Sequence, residues 1–388
     1  MSKFYALNAK AFVTIIFCSI GSFINSQGRY TSGDFHQHTT FTDGSWSMPW
    51  VMSKENSFGI DWWVSSEHGG AFAKNGRWSG LDTGKDIYWE SYTPSIFKGK
   101  RDSLYGHLRM WRWQSIMDTS FFLVKESRKL YPSKTILQGL EWNVPGHEHA
   151  SICIINNQFN VNPDCSPIAQ FEFKFDDRDR DTSGGVAMGW TKSTEVYGKH
   201  SKAIEALKWL QKNYPTTSWV VPGHPERRNK YTVGSFREMN DVAPGICIGF
   251  ESMPGHHGAA IRGEYPKNLA AGGSTYGGCG YYAAKIGGLW DALLSEGRVF
   301  SLFANSDFHD VGDDFLPGEY LKTYVYTKSK DAQSIVDGLR SGNSYVVSGD
   351  LIDSLFFSIS YKKKTANMGE TLIVPKGAEI TFTIKFHD

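Results

Sequence analysis

The stretch "DFHQHTTFTDG", Asp34 to Gly44, decides how the rest of the chain is read. It places His36 and His38 two residues apart. On an extended strand that spacing turns both imidazoles to one face, where they can grip one metal ion. The spacing recurs at His147 and His149 and, with a carboxylate first, at Asp307 and His309. One such pair is a weak signal; three, two of them flush against apolar runs, are hard to dismiss. Other ligand types end further apolar runs: His68 after "WWVSSE", Glu141 after "ILQGL" and His224 after "VVPG".

The runs themselves are Asp61–Ser65, Thr135–Trp142, Ser151–Ile155, Ser218–Val221, Ile246–Phe250, Val299–Ala304 and Tyr324–Thr327. Most are bounded by Gly, Pro, Asn or Ser, and their β-branched and aromatic content favours strands. Between them lie helical patterns. Ser201–Asn213 carries Ile204, Leu207 and Leu210 on one face, and Ala332–Leu339 is another. Strands alternating with helices imply parallel pairing and an α/β fold, and this many strands suit a barrel better than an open sheet. In parallel α/β barrels the C-terminal strand ends carry the active site.

The chain has 388 residues, 41 Lys+Arg against 40 Asp+Glu, and a net charge of +1. That balance argues against a broad basic face for nucleic acid. With 40% hydrophobic and 21% charged residues the chain is globular rather than disordered. Lys3 and Lys10 precede an apolar run, Ala11–Ile24, that breaks at Asn25. The run is short of the ~18–20 residues that span a bilayer. A cleavable signal peptide over 1–26 is therefore expected, an uncleaved anchor being the alternative. The mature chain would be exported, periplasmic or secreted, with no membrane span after cleavage. Export leaves Cys153, Cys165, Cys247 and Cys279, which allow three pairings. Cys153 and Cys247 sit in strand-like runs and read as buried thiols. The chain has no CxxC, which argues against a thiolate zinc site.

Residues 70–100 and 253–280 are rich in Gly and lack a period, and both are expected to be long loops. Asp176, Asp177, Asp179 and Asp181, interleaved with arginines, read as a solvated turn. From residue 351 the pattern changes. "LFFSISY" and "AEITFTIKF" alternate like half-buried strands, and imply a β-hairpin or the start of a β-sandwich. The expected division is 1–26 signal peptide, 27–350 catalytic domain and 351–388 β extension.

Taken together, the motifs resemble the PHP superfamily, the polymerase and histidinol phosphatase domain. "DFHQHTTFTDG" is similar to its opening motif, and "WWVSSEH" to the strand that ends in Thr-Asp-His, with Glu67 in place of the Asp. Gly139-Leu140-Glu141, His149 before "ASICII", His224-Pro225 and Ser306-Asp307-Phe308-His309 follow in the family's order. The resemblance implies a distorted (β/α)7 TIM-like barrel. It implies two or three divalent metal ions held by His36, His38, Asp43, His68, Glu141, His149, His224, Asp307 and His309. His147 competes with His149 as a ligand.

Imidazole and carboxylate without thiolate suit Zn, Mn or Fe. Glu141 could bridge two ions, which acidify a water and neutralise charge on a substrate. The family mostly hydrolyses phosphate esters, so the expected activity is that of a metal-dependent phosphoesterase. Its substrate would be a small molecule: a phosphorylated sugar, a nucleotide or a phosphodiester. Arg227 and Arg228 are the first candidates to clamp the phosphate, and Arg262 is a weaker one. His257, in a Gly-rich loop, could protonate a leaving group, and Asp307 is a catalytic candidate at the metal site. Trp46 and Trp142 adjoin metal motifs and could stack on a sugar or base. Two other readings stay open. The same metals could serve a carbohydrate-active or ester/amide hydrolase, or the barrel could be a non-catalytic binding module.

Overall fold

A computed structural model describes residues 28–91, 96–155, 165–253 and 279–388. The expected signal peptide, His257 and Arg262 lie outside the described residues. The first strands are β1 (Arg29–Asp34) and β2 (Trp62–Ser65), followed by the short β3 (Ala71–Phe72), β4 (Asp102–Leu104) and β5 (His107–Trp111). Next come β6 (Thr135–Asn143), β7 (His149–Ile154), β8 (Ser218–Pro222), β9 (Gly249–Met253) and β10 (Ser301–Ala304). β11 (Leu321–Thr327) and β12 (Ser344–Ser348) precede the tail strands β13 (Ser354–Tyr361), β14 (Lys364–Asn367) and β15 (Thr381–His387).

The main sheet has seven strands in the order β12-β11-β1-β2-β6-β7-β8. β1, β2 and β6 run parallel, as the strand–helix alternation implies. Gly33 in β1 faces the Trp62 ring so closely that a Cβ would stand 2.1 Å from it. β7, however, runs antiparallel to both β6 and β8. Only Val144–Glu148 separates β6 from β7, and a parallel crossover needs a dozen or more residues. The expected parallel pairing therefore holds for β1, β2 and β6, within a sheet that is curled and mixed. Past β8 the curl continues through two single bridges and one short parallel pair. Val220 pairs with Cys247, β9 pairs in parallel with β10, and Gln37 pairs with Phe308. That last bridge brings Asp307 N–H to His36 O at 2.7 Å and His38 N–H to Phe308 O at 2.8 Å.

Every residue of β6 and β7 is buried, as in strands covered on both faces. On one side the helix Ala332–Arg340, N-capped by Asp331, sets Ile335, Val336 and Leu339 in a cluster with Phe35, Trp62 and Trp219. Elsewhere the helix His200–Asn213 buries Ala203, Ala206, Leu207 and Leu210 in the larger core with Trp63 and Trp142. Cys153 and Cys247 are buried, as expected, and so is Cys165.

Three segments differ from expectation. Residues 70–100 contain β3 and a helical turn Gly80–Thr83 closed by a Ser79–Asp82 capping box. β3, β5 and β4 form a small sheet whose strands are too short to show a period. Asp176, Asp179 and Asp181 are buried rather than solvated. Their oxygens take backbone N–H groups, Asp176 from Asn143 at 2.9 Å and Asp181 from Lys100 at 2.8 Å, so they serve as loop caps. In the tail, β13 pairs with both β14 and β15, giving a three-stranded antiparallel sheet rather than a hairpin. The alternation places Phe382, Ile384 and Phe386 on one face, but that face is 62–67% exposed, not half-buried. Among the described residues no helix is long and apolar enough to cross a membrane.

Candidate metal centre

His36 and His38 follow β1, Glu141 lies in β6, His224 follows β8, and Asp307 and His309 follow β10. His68, beyond β2, pairs its backbone with Glu141. His149 opens the reversed strand β7, opposite Asn143, so its ring meets the same end of the sheet. The reversal of β7 is therefore what brings His149 to Glu141 from only eight residues away.

Glu141 is fully buried and sits at the centre. Its Oε1 lies 3.0 Å from His36 Nε2, 2.8 Å from His149 Nδ1 and 3.2 Å from His224 Nε2. Its Oε2 lies 2.6 Å from His68 Nδ1 and 3.2 Å from His38 Nε2. Asp307 Oδ1 is 3.1 Å from His36 Nε2 and 3.2 Å from His38 Nε2. Asp43 stands between His68 (3.2 Å), His38 and His309 (3.6 Å each). The nine residues expected from the sequence thus converge, in four overlapping groups that could each hold a metal ion.

Several of these atoms meet without hydrogen-bond geometry. His36 Nε2, both ring nitrogens of His38, His68 Nδ1 and Glu141 Oε2 are buried without a hydrogen-bond partner among the described residues. Such orphans are costly unless something fills the space between them. Lone pairs aimed at common points fit divalent ions, and the residue types fit Zn, Mn or Fe. Two of the nine, His224 (φ 31°) and Asp307 (φ 47°), hold left-handed backbone conformations unusual outside glycine. Strain of that kind concentrates at functional sites.

The electrostatics follow from the crowding. Burial alone would lower the His38 and His68 pKa values. Glu141 leads the carboxylates that push His38 up to about 10, and Asp43 those that push His68 up to about 9. His36 moves well above its usual value in the same way, through Asp307, Glu251 and Glu141. Burial pushes His224 down to about 3, with Arg227 adding to it. For Glu141 and Asp307 burial would raise the pKa, but the surrounding histidines hold both well below the carboxylate range.

The structure separates the remaining candidates. His147 points away, its Nε2 2.7 Å from His200 Nδ1 and its Nδ1–H donating to Lys230 O, so His149 is the residue at the centre. Trp142 is corrected from a stacking platform to a core residue: it is fully buried, donates to Phe175 O and meets Phe171 edge-on. Trp46 stacks on Trp50 at 4.0 Å and is not among the walls of the cavity over the centre. Arg227 lines that cavity of about 450 Å³. Its Nε and Nη2 both donate to Glu148 Oε2, at 3.0 and 2.9 Å. Arg228 is exposed, 3.8 Å from Glu148, and is not a wall of the cavity.

Sequence reasoning missed three supporting residues. Glu251 accepts from His36 Nδ1–H at 2.7 Å. Its position at the C-terminal end of an apolar run was the available signal. Asp34 takes the backbone N–H groups of His36 and Ser306, joining the first and last motifs. Arg178, also a wall of the cavity, carried no signal in a run of alternating charges. Glu67 holds the opening motif, accepting from Thr39 N–H at 3.1 Å, from Thr42 Oγ1–H at 2.6 Å and from the Thr39 hydroxyl.

No family model and no curated relative matches the chain. Among solved structures it is similar to a two-domain protein from Bacteroides vulgatus containing a predicted PHP-like metal-dependent phosphoesterase. That match has 12% identity and a TM-score of 0.41 over 93% of this chain and 87% of that one. It is also similar to PsfC from Pseudomonas syringae, at 10% identity and a TM-score of 0.37 over 83% of this chain and 93% of that one.

Proposed function

We propose that the chain is an exported metal-dependent hydrolase of PHP type that cleaves phosphoesters of small molecules. The observation that carries this reading is the convergence of five imidazoles on the buried Glu141, with buried nitrogens around it that find no hydrogen-bond partner among the described residues. The His36–Glu141–His224, His36–His38–Asp307, His68–Glu141–His149 and His38–Asp43–His68–His309 groups would hold two or three ions. Bound there, the ions would acidify a water and neutralise charge on a phosphoryl group.

The chain's own residues set the conditions for that chemistry. Glu251 holds His36 so that Nε2 faces the centre. Asp34 and the Gln37–Phe308 bridge lock the first motif to the last. The centre lies at the floor of a cavity, where bulk water is partly excluded and charges act more strongly. Export rests on Lys3, Lys10 and the apolar run after them.

The test is elemental analysis followed by a substrate panel. Metal-replete protein should carry two or three ions and turn over p-nitrophenyl phosphate or bis(p-nitrophenyl) phosphate. His36→Ala or His309→Ala should lose metal and activity together. Less than one equivalent of metal would defeat the reading. Turnover of acyl esters or glycosides in place of phosphoesters would transfer the centre to a different bond.

A further inference from the structure

Two cavities adjoin at one side chain. The cavity over the histidines and a second one of about 400 Å³ share Arg178 as a wall. The second is walled further by Gly69, Gly70, Phe72, Arg109 and Trp111. Gly69 directly follows His68, so the two spaces are neighbours along the backbone as well. A third cleft of about 410 Å³ shares Phe72 and Arg109 with the second. It carries Tyr88 stacked on His107 at 3.5 Å and the exposed Leu104 and Tyr105. The small sheet of β3, β4 and β5 supplies most of these walls.

Arg178 is exposed, yet its backbone is fixed. Its N–H donates to Asp176 Oδ1 at 2.8 Å, and the buried Asp176 is held in turn by Asn143. Among the described residues the Arg178 guanidinium makes no hydrogen bond and no ion pair. The neighbouring arginines differ. Arg227 is doubly bonded to Glu148, Arg109 is 2.5 Å from Asp102, and Arg180 donates to Asp177 O and lies over the Tyr197 ring. Asp310 and Asp313 line the first cavity too, and neither pairs with Arg178.

We infer that Arg178 is the anion-recognition residue of this site, and that the cleft beyond it takes the second ester arm of a phosphodiester, the one that stays on phosphorus when the other leaves. The substrate class rests on the phosphoesterase reading above. A planar guanidinium with open donors suits two oxygens of one phosphoryl group. A phosphomonoester of a small alcohol has no second arm to place in the adjoining clefts. The adjoining clefts, with Phe72, Tyr88 and His107 on their walls, have the size and mixed lining of a small-molecule subsite.

The experiment separates the clamp from the reaction. Metal-loaded wild type, Arg178→Ala and Arg178→Lys are titrated calorimetrically with inorganic phosphate, with metal content checked in each. Arg178→Ala should keep its metal and bind phosphate roughly ten- to a hundred-fold more weakly. Arg178→Lys should recover only part of the loss, because a lysine lacks the fork. Phe72→Ala should raise KM for bis(p-nitrophenyl) phosphate and leave that for p-nitrophenyl phosphate unchanged. Wild-type phosphate affinity in Arg178→Ala would overturn the clamp, as would absence of phosphate binding by the wild type. Equal KM changes for both substrates in Phe72→Ala would overturn the cleft for the second ester arm. Phosphate binding through Arg178 without turnover of any phosphoester would sink the phosphoesterase reading and leave the clamp standing.

Discussion

His36 Nδ1–H donates to Glu251 Oε1 at 2.7 Å, and that bond turns the other ring nitrogen toward Glu141 and Asp307. Glu251 is itself fixed, accepting from Asn305 Nδ2–H at 3.0 Å and from the His224 N–H at 3.2 Å. One carboxylate therefore sets the tautomer of one candidate ligand and the backbone position of another. Partners of this kind matter roughly ten- to a hundred-fold in metal affinity. Glu251→Ala should lose about that much affinity, measured by competition with a chelator, and Glu251→Gln should lose less. Unchanged affinity in both variants would show that packing alone orients His36.

Metal uptake should release protons. In the metal-free fold His38 and His68 are pushed up to about 10 and about 9, so both carry protons at neutral pH. A ligand imidazole must be neutral, so binding displaces those protons and apparent affinity rises with pH. Calorimetry in buffers of different ionisation enthalpy should give a net release of more than one proton per protein near pH 7. The sign for the metal-free fold is the reverse. With folded values above the unfolded 6.5, this protonation stabilises fully below pH 6.5 and is lost as pH rises through about 9 to 10. Heat-denaturation midpoints of chelator-treated protein that stay flat across that window would contradict the assignment.

Glu67 should matter to stability. It is buried and ties down Thr39 and Thr42 of the opening motif. It also opposes the charge of the buried Arg112, whose pKa burial pushes down to about 10. Hydrogen bonds to a charged group contribute about 1.5–3 kcal/mol each, and they are not additive here. Glu67→Ala should cost about 3 kcal/mol in urea denaturation. A loss below about 0.5 kcal/mol would mean that the loop holds its shape without it.

Trp142→Ala distinguishes core from platform. Complete burial against Phe171 and Phe175 implies a loss of about 3–5 kcal/mol from truncation. Whatever folded fraction remains should retain its metal. A variant of wild-type stability that had lost only substrate affinity would restore the stacking role.

Much of the centre was legible along the chain because ligand chemistry is a property of residue type. Glu141, His224 and Asp307-x-His309 each end or follow an apolar run that forms a strand, whereas His36-x-His38 follows the polar strand RYTSGD and was legible from its own spacing. What decided the rest was three-dimensional. The short turn Val144–Glu148 reverses β7, and that reversal selects His149 over His147. Burial makes Asp176, Asp179 and Asp181 loop caps and makes Trp142 core, although their types and neighbours read otherwise. Glu251 meets His36 across 215 residues of sequence separation. Arg178 stands at the junction of two cavities because Asp176 anchors its backbone. Local pattern specifies which groups can ligate and which segments extend. Which groups meet, and which are left with open donors, depends on contacts between distant segments that no local period encodes.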